Sequence, residues 1–280
     1  VLSQKAILVY LTISQWTGRK LDKRATGHVE HDFKTDGKVG NYTKKLLPGA
    51  RELEAIAAQA GAIRKFFYDQ TLPWLADGTR ILSSKNYIQF TQDYRARKNA
   101  FDASVEAFLT EYPKLRDAAR AKLGELFSEN EYPSAAHLRT AFQCDIAFLP
   151  LPDAADFRTE MLDSEKDAFL AKMREVEANA TRECWTRLHD VCQKAIAKLA
   201  QPDAIFRDSL IQNISDICGL LPRLNVTDDP ALENARQAVE KLAASISPDV
   251  CRDNATERQD AAAKLREITD KMGAFMGGAA

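Results

Sequence analysis

Residues 164–199, SEKDAFLAKMREVEANATRECWTRLHDVCQKAIAKL, hold the most regular pattern in the chain. Leu162, Met173, Cys184 and Ala195 fall eleven residues apart. Phe169, Ala180 and Val191 interleave with them, and Leu188 and Leu199 extend the line. An eleven-residue period keeps an apolar seam nearly straight or slightly right-handed along a helix, unlike the left-handed heptad seam. Lys166 and Glu177 interrupt it. Ser164 opens the segment and Pro202 follows it, so the pattern predicts a rod of ~50 Å at 1.5 Å per residue. This stretch sets the fold class: mainly α.

Working outward, most of the chain is read as helix. Arg51–Tyr68 places Leu53, Ile56, Ala60, Ile63 and Phe67 on one face. Ser84 is expected to cap a long helix whose apolar series runs Tyr87, Phe90, Tyr94, Phe101, Val105, Phe108, Tyr112, Leu115, Ala119 and Leu126. Pro113 lies inside that series and is expected to kink or split it, because proline lacks the N–H that the turn needs. Ser134 reads as the N-cap of a short helix up to Phe142. Phe206–Leu221 is expected to stop at Pro222. Leu232–Ile246 defines another helix. Asn254 and Glu257 form a capping-box pattern at the start of the last.

Two segments break the helical period. Lys5–Ser14 alternates Ile7, Val9, Leu11 and Ile13 with Leu8, Tyr10 and Thr12, the period-two signal of a strand. Phe142–Leu149 repeats it with Cys144, Ile146 and Phe148, and is closed by Pro150 and Pro152. The two are expected to pair antiparallel. Two strands alone are marginal in water, so they must pack on helices or find a third. The organisation predicted is a mixed α+β part, residues 1–158, followed by an all-helical part, residues 159–280.

The 280 residues carry 39 basic and 40 acidic side chains, with 45% hydrophobic and 28% charged residues. That balance excludes a disordered tail, a collagen-like chain and a supercharged nucleic-acid coat. No apolar run reaches the ~18 residues of a membrane span, so no membrane association is expected. No signal-peptide pattern is read. The chain opens on Val1 rather than methionine, which leaves a missing N-terminal piece as an expectation. Cys144, Cys184, Cys192, Cys218 and Cys251 are odd in number and widely spaced, the pattern of buried thiols in a reducing compartment.

No motif points to catalysis or to a cofactor. Neither G-x-x-x-x-G-K-[ST] nor G-x-G-x-x-G occurs, and residues 36–42, DGKVGNY, read as a surface turn. His28-Val29-Glu30-His31 offers donors that cannot all converge on one ion, so it reads as solvated. His189 with Cys192 sits beside Trp185 and Leu188, which suggests packing. Asp228-Asp229 and Glu129-x-Glu131 read as solvated acids in turns. No metal, cofactor or catalytic residue is assigned.

Charge distribution supplies the candidate site. Residues 1–50 hold nine Lys/Arg against four Asp/Glu. The candidate basic patch is Trp16, Arg19, Lys20, Lys23, Arg24, Lys38, Tyr42, Lys44 and Lys45, with Lys34 and Phe33 interleaved. Cations with aromatics can track a phosphate backbone and stack bases. They serve equally as a docking stripe for an acidic protein.

Several stretches carry a family resemblance. They are residues 13–20, ISQWTGRK; 71–74, TLPW, with 78–82, GTRIL; 131–134, EYPS; 148–158, FLPLPDAADFR; and 206–210, FRDSL, leading to 224–227, LNVT. Together they resemble an uncharacterised bacteriophage and prophage family known only as a domain of unknown function. That family is often encoded beside a MoxR/CobS-like AAA+ ATPase and a von Willebrand A-type protein. The resemblance implies a phage origin, a host-cytoplasm address and an ATPase partner, and brings no catalytic residue. The reading that follows is a non-enzymatic adaptor or assembly protein that works with the AAA+ partner and self-associates. The alternative is a single-stranded-DNA-binding protein serving phage recombination or replication.

Overall fold

The computed structural model describes residues 2–75, 78–152, 163–201 and 208–276. The fold is mainly α with a small antiparallel sheet. Strand β1 is Ala6–Ser14, followed by β2 (Arg19–Leu21), helix α1 (Lys23–Asp32), β3 (Thr43–Lys45) and α2 (Arg51–Asp69). Then come β4 (Leu72–Pro73), β5 (Thr79–Ser83), α3 (Tyr87–Leu123), α4 (Ala135–Ala141) and β6 (Gln143–Leu149). Helices α5 (Asp163–Leu199), α6 (Ser209–Leu224), α7 (Pro230–Ser245), α8 (Pro248–Asp253) and α9 (Ala255–Met276) complete the described chain.

The four-stranded sheet has the order β4-β5-β1-β6. Strand β6 lies beside β1 as the alternation predicts. The third strand that the pair needs is β5, antiparallel to β1 with Ala6 opposite Ser83 and Tyr10 opposite Thr79. Strand β4 closes the far edge, Leu72 opposite Ile81. β2 and β3 form a separate two-stranded ribbon.

The chain divides into two compact units. One comprises Val1–Tyr10, Tyr68–Phe90 and Ala147–Ala280; the other comprises Leu11–Phe67 and Thr91–Ile146. In the first, α5 packs on α9 and α6, and α7 packs on α6 and α9. Its core gathers Val176, Ala180, Cys184, Leu188, Cys192 and Ala195 of α5 with Ile214 and Leu221 of α6, Val239 of α7 and Leu265 of α9. From Met173 onward the eleven-residue seam is this buried face, though Met173 and Val191 are only partly covered, and Phe169 before them is partly covered and outside this core. Leu162, its first member, and the proposed part boundary near residue 158 lie outside the described residues, as do Phe206 and Arg207.

Arg187 of α5 organises the loop after α2 within this unit. Its guanidinium donates to the carbonyls of Tyr68 (3.1 Å), Asp69 (2.7 Å) and Thr71 (2.9 Å), the acceptors that a helix C-terminus leaves unpaired. Arg80 adds a bond to the Thr71 carbonyl at 3.1 Å and lies over the Tyr68 ring.

Both prolines expected to interrupt helices sit inside them. α6 continues through Pro222 to Leu224. Proline at 222 cannot donate to the carbonyl of Cys218, four residues back. Arg236 of α7 supplies that bond instead, at 3.3 Å, so the helix keeps its partner count. α3 likewise runs through Pro113 without a break. Phe108, Leu109 and Tyr112, in the turn before it, are buried, and their packing outweighs one missing hydrogen bond. The start of α3 also differs: a 3-10 turn, Ser84–Asn86, leads into it, and the side chain that caps this turn is Ser83, which accepts from Lys85 N, one residue before the Ser84 expected from sequence.

Ser134 and Asn254 cap as the sequence predicts, though the Asn254 N–H bonds Val250 O rather than the Glu257 side chain, so only half of the capping box forms. Ser134 Oγ accepts from His137 N at 3.2 Å, and Asn254 Oδ1 accepts from Thr256 N and Glu257 N. The acids read as solvated are engaged. Asp228 bridges Lys5 and Lys85, each at 2.5 Å, and Asp229 caps α7 through Ala231 N and Leu232 N.

Candidate functional site

The candidate patch lies entirely in the second unit, on an excursion formed by β2, α1 and β3. Residues 17–21 leave β1 through Gly18, whose φ of +61° is left-handed. A Cβ added there would lie 2.7 Å from Leu53 Cδ2, so glycine fits this turn both by conformation and by space. Asp22 then does two jobs. Its Oδ1 accepts from Ala25 N at 3.0 Å as the N-cap of α1, and its backbone N–H bonds Tyr42 O at 2.9 Å to extend the ribbon. Thr26, buried, donates to Asp22 O and accepts from Tyr42 N, tying the helix to the return strand.

Lys44 is not a surface cation. It is only 4% exposed, and its Nζ meets Asp22 Oδ2 at 2.8 Å, Glu131 Oε2 at 2.7 Å and Leu126 O at 2.6 Å. Burial disfavours its charged form, but the two carboxylates outweigh that and leave its pKa raised. Asp22 is held low, first by the Ala25 N–H and then by Lys44. The base of the arm has further ties to the last turn of α3 and the segment after it. Tyr132 Oη donates to Leu46 O at 2.7 Å, Lys122 to Pro48 O at 3.1 Å, and Arg24 to Glu125 O. Side-chain donors thus satisfy carbonyls on both strips of chain, beside the buried Leu46 and Leu47.

Trp16 also turns inward. It is half-buried, with its ring 6.2 Å from those of Phe108 and Tyr112. The remaining patch residues stay outside: Arg19, Lys20, Lys23, Arg24, Lys38, Tyr42 and Lys45 are all exposed. Among the described residues, no carboxylate pairs with Arg19, Lys20, Lys23, Lys34, Lys38 or Lys45. Arg19 and Lys45 face each other directly across the ribbon, an unfavourable like-charge pairing.

The arm also exposes apolar side chains. Phe33 is 77% exposed and Val39 67%, and Leu21, Val29 and Tyr42 are exposed as well. Phe33 and Tyr42 belong to the pattern read from sequence; Leu21, Val29 and Val39 do not. Nothing in their local pattern marks them, since single apolar residues in a polar stretch usually find a core. The density of apolar residues among lysines was the available signal.

The histidines of His28–His31 are exposed on α1, and among the described residues no three His, Cys, Asp or Glu side chains converge as a metal site. The five cysteines are buried thiols. Among the described residues, no helix is long and apolar enough to cross a membrane. Comparison with protein-family models, curated proteins and solved structures returned no match.

Proposed function

We propose that this chain is a phage-encoded, non-enzymatic adaptor or assembly protein, acting in the host cytoplasm with a MoxR-like AAA+ ATPase and self-associating there. The family resemblance suggests the partner. The observation that supports a docking role is the arm at residues 19–45, where exposed Leu21, Val29, Phe33 and Val39 stand among exposed cations, Arg19, Lys20, Lys23, Lys34, Lys38 and Lys45, that pair with no carboxylate among the described residues. Exposed apolar surface rimmed by charge is the composition of a protein-docking patch, and its charge selects an acidic partner. Co-purification of the tagged chain from phage-producing cells tests this. The ATPase is expected with the wild type and not with Arg19→Glu/Lys20→Glu/Lys45→Glu. Recovery of no stable protein, or equal recovery with the variant, overturns it.

A second reading, single-stranded-DNA binding, is favoured by one observation: Phe33 and Tyr42 are exposed beside the same cations. Base stacking on such rings adds to phosphate contacts. Binding of this kind weakens with salt by a log–log slope of about −0.7 per phosphate contact. Filter binding of labelled single strands across a salt series decides it: no retention at low salt eliminates the reading. The aliphatic Leu21, Val29 and Val39, and the acids Glu30, Asp32 and Asp36 on the same arm, favour a protein.

A further inference from the structure

We infer that the free edge of β2 accepts an extended acidic peptide segment of a protein partner as a third strand. The inference rests on the docking reading above and specifies its mode. It follows from the ribbon's hydrogen-bond phase. Leu46 N bonds Gly18 O at 2.7 Å and Asp22 N bonds Tyr42 O at 2.9 Å, so Gly18/Leu46 and Asp22/Tyr42 are hydrogen-bonded pairs. With Lys20 opposite Lys44, Arg19 opposite Lys45 and Leu21 opposite Thr43, the alternation makes Arg19/Lys45 and Leu21/Thr43 the non-hydrogen-bonded pairs. The N–H and C=O groups of Arg19 and Leu21 therefore point away from β3. No backbone partner for them occurs among the described residues.

The side chains specify the occupant. Arg19, Leu21, Thr43 and Lys45 share one face of the ribbon by period two, and Leu21 is exposed between unpaired cations. An acidic strand on the β2 edge sets a carboxylate against Arg19 and, two residues along, an apolar residue against Leu21, while Lys45 adds its charge on the same face from the next strand. A second copy of this ribbon would instead bring like charges together, so the same cations that blunt the edge against self-pairing select an acidic strand. The edge of β3 offers Thr43 and Lys45 but no apolar side chain. Strand addition provides affinity through main-chain bonds and specificity through alternate side chains.

The test is fluorescence anisotropy of the whole chain with a labelled short peptide of repeating Glu-Thr-Val-Thr sequence, which puts glutamate and valine in turn along one strand face, and separately with labelled oligothymidylate. Leu21→Pro removes an outward N–H without touching the β2–β3 bonds, and Thr43→Pro does the same on the other edge; thermal melts confirm folding. Peptide binding is expected to fall by roughly tenfold or more in Leu21→Pro, by roughly tenfold in Arg19→Glu/Lys45→Glu, and to stay unchanged in Thr43→Pro. If the charge reversal abolishes binding and Leu21→Pro does not, docking on the arm survives and strand addition is wrong. If oligothymidylate binds and the peptide does not, both are wrong and the nucleic-acid reading replaces them. A wild type that binds neither probe overturns the inference.

Discussion

Replacing Lys44 by methionine leaves Asp22 and Glu131 facing each other with no cation between them. Their side chains are 9% and 19% exposed, and Lys44 itself is 4% exposed, so little water can take over. Breaking a buried ion pair by removing one partner costs 3–5 kcal/mol in general. Because Glu131 keeps some solvent, the lower end applies, about 3 kcal/mol, which for a unit of this size lowers Tm on the order of 10 °C. Lys20, the cross-strand neighbour of Lys44, is exposed and unpaired, so Lys20→Met should stay within about 0.5 kcal/mol of wild type. Adding Asp22→Asn and Glu131→Gln to Lys44→Met removes the stranded charges and keeps the N-cap acceptor, and is expected to recover about 1 kcal/mol or more. Urea and thermal unfolding of the four proteins provide the comparison. The pH dependence has a defined sign. The Asp22 contribution is present above its ordinary pKa and is lost as pH falls through the lowered value. The Lys44 contribution is present below its ordinary pKa and is lost as pH rises through the raised one. A Lys44→Met protein as stable as Lys20→Met would refute the buried knot as the fastening of the arm.

Three further outcomes are expected. Arg187→Met leaves the carbonyls of Tyr68, Asp69 and Thr71 without this donor and should cost about 3 kcal/mol; Arg187→Lys, which cannot fork to all three, should recover only part, both read by urea unfolding. Asp228 is held down at about 2 by its bonds to Lys5 and Lys85, so its stabilisation should be present above pH ~4 and fade toward pH 2. Asp228→Asn should flatten that acid limb of the stability curve, and an unchanged limb would show that the bridge does not form in solution. Burial pushes the Cys184 and Cys192 thiols up to about 12, and all five cysteines are buried, so a thiol reagent at pH 8 should label none until denaturant is added.

The elements legible in the sequence were those with a clear period or a definite stop. β1 and β6 show as alternation, with Pro150 closing the second. The α5 seam shows because the face of a long helix that reaches the core is mostly apolar, Lys166 and Glu177 being its interruptions. β5 was hidden because five residues, Thr79–Ser83, are too few to establish a period, and β4 is only two. At Pro222 the sequence misled for a tertiary reason: whether a proline ends a helix depends on what satisfies the freed carbonyl, and Arg236, on the next helix, does so for Cys218; at Pro113 the helix is not split. The patch was legible as composition but not as geometry. Lys44 sits between two exposed residues of a three-residue strand, and only the proximity of Asp22 and Glu131 in space distinguishes it from Lys45.

The central claim is that residues 19–45 form the docking surface. Hydrogen–deuterium exchange of the chain, alone and in its co-purified complex, addresses it most directly. The account predicts slowed exchange concentrated between residues 17 and 45, including the amides of Arg19 and Leu21, which have no hydrogen-bond partner among the described residues. Slowed exchange confined to α5–α9, with unchanged amides from 17 to 45, would contradict it.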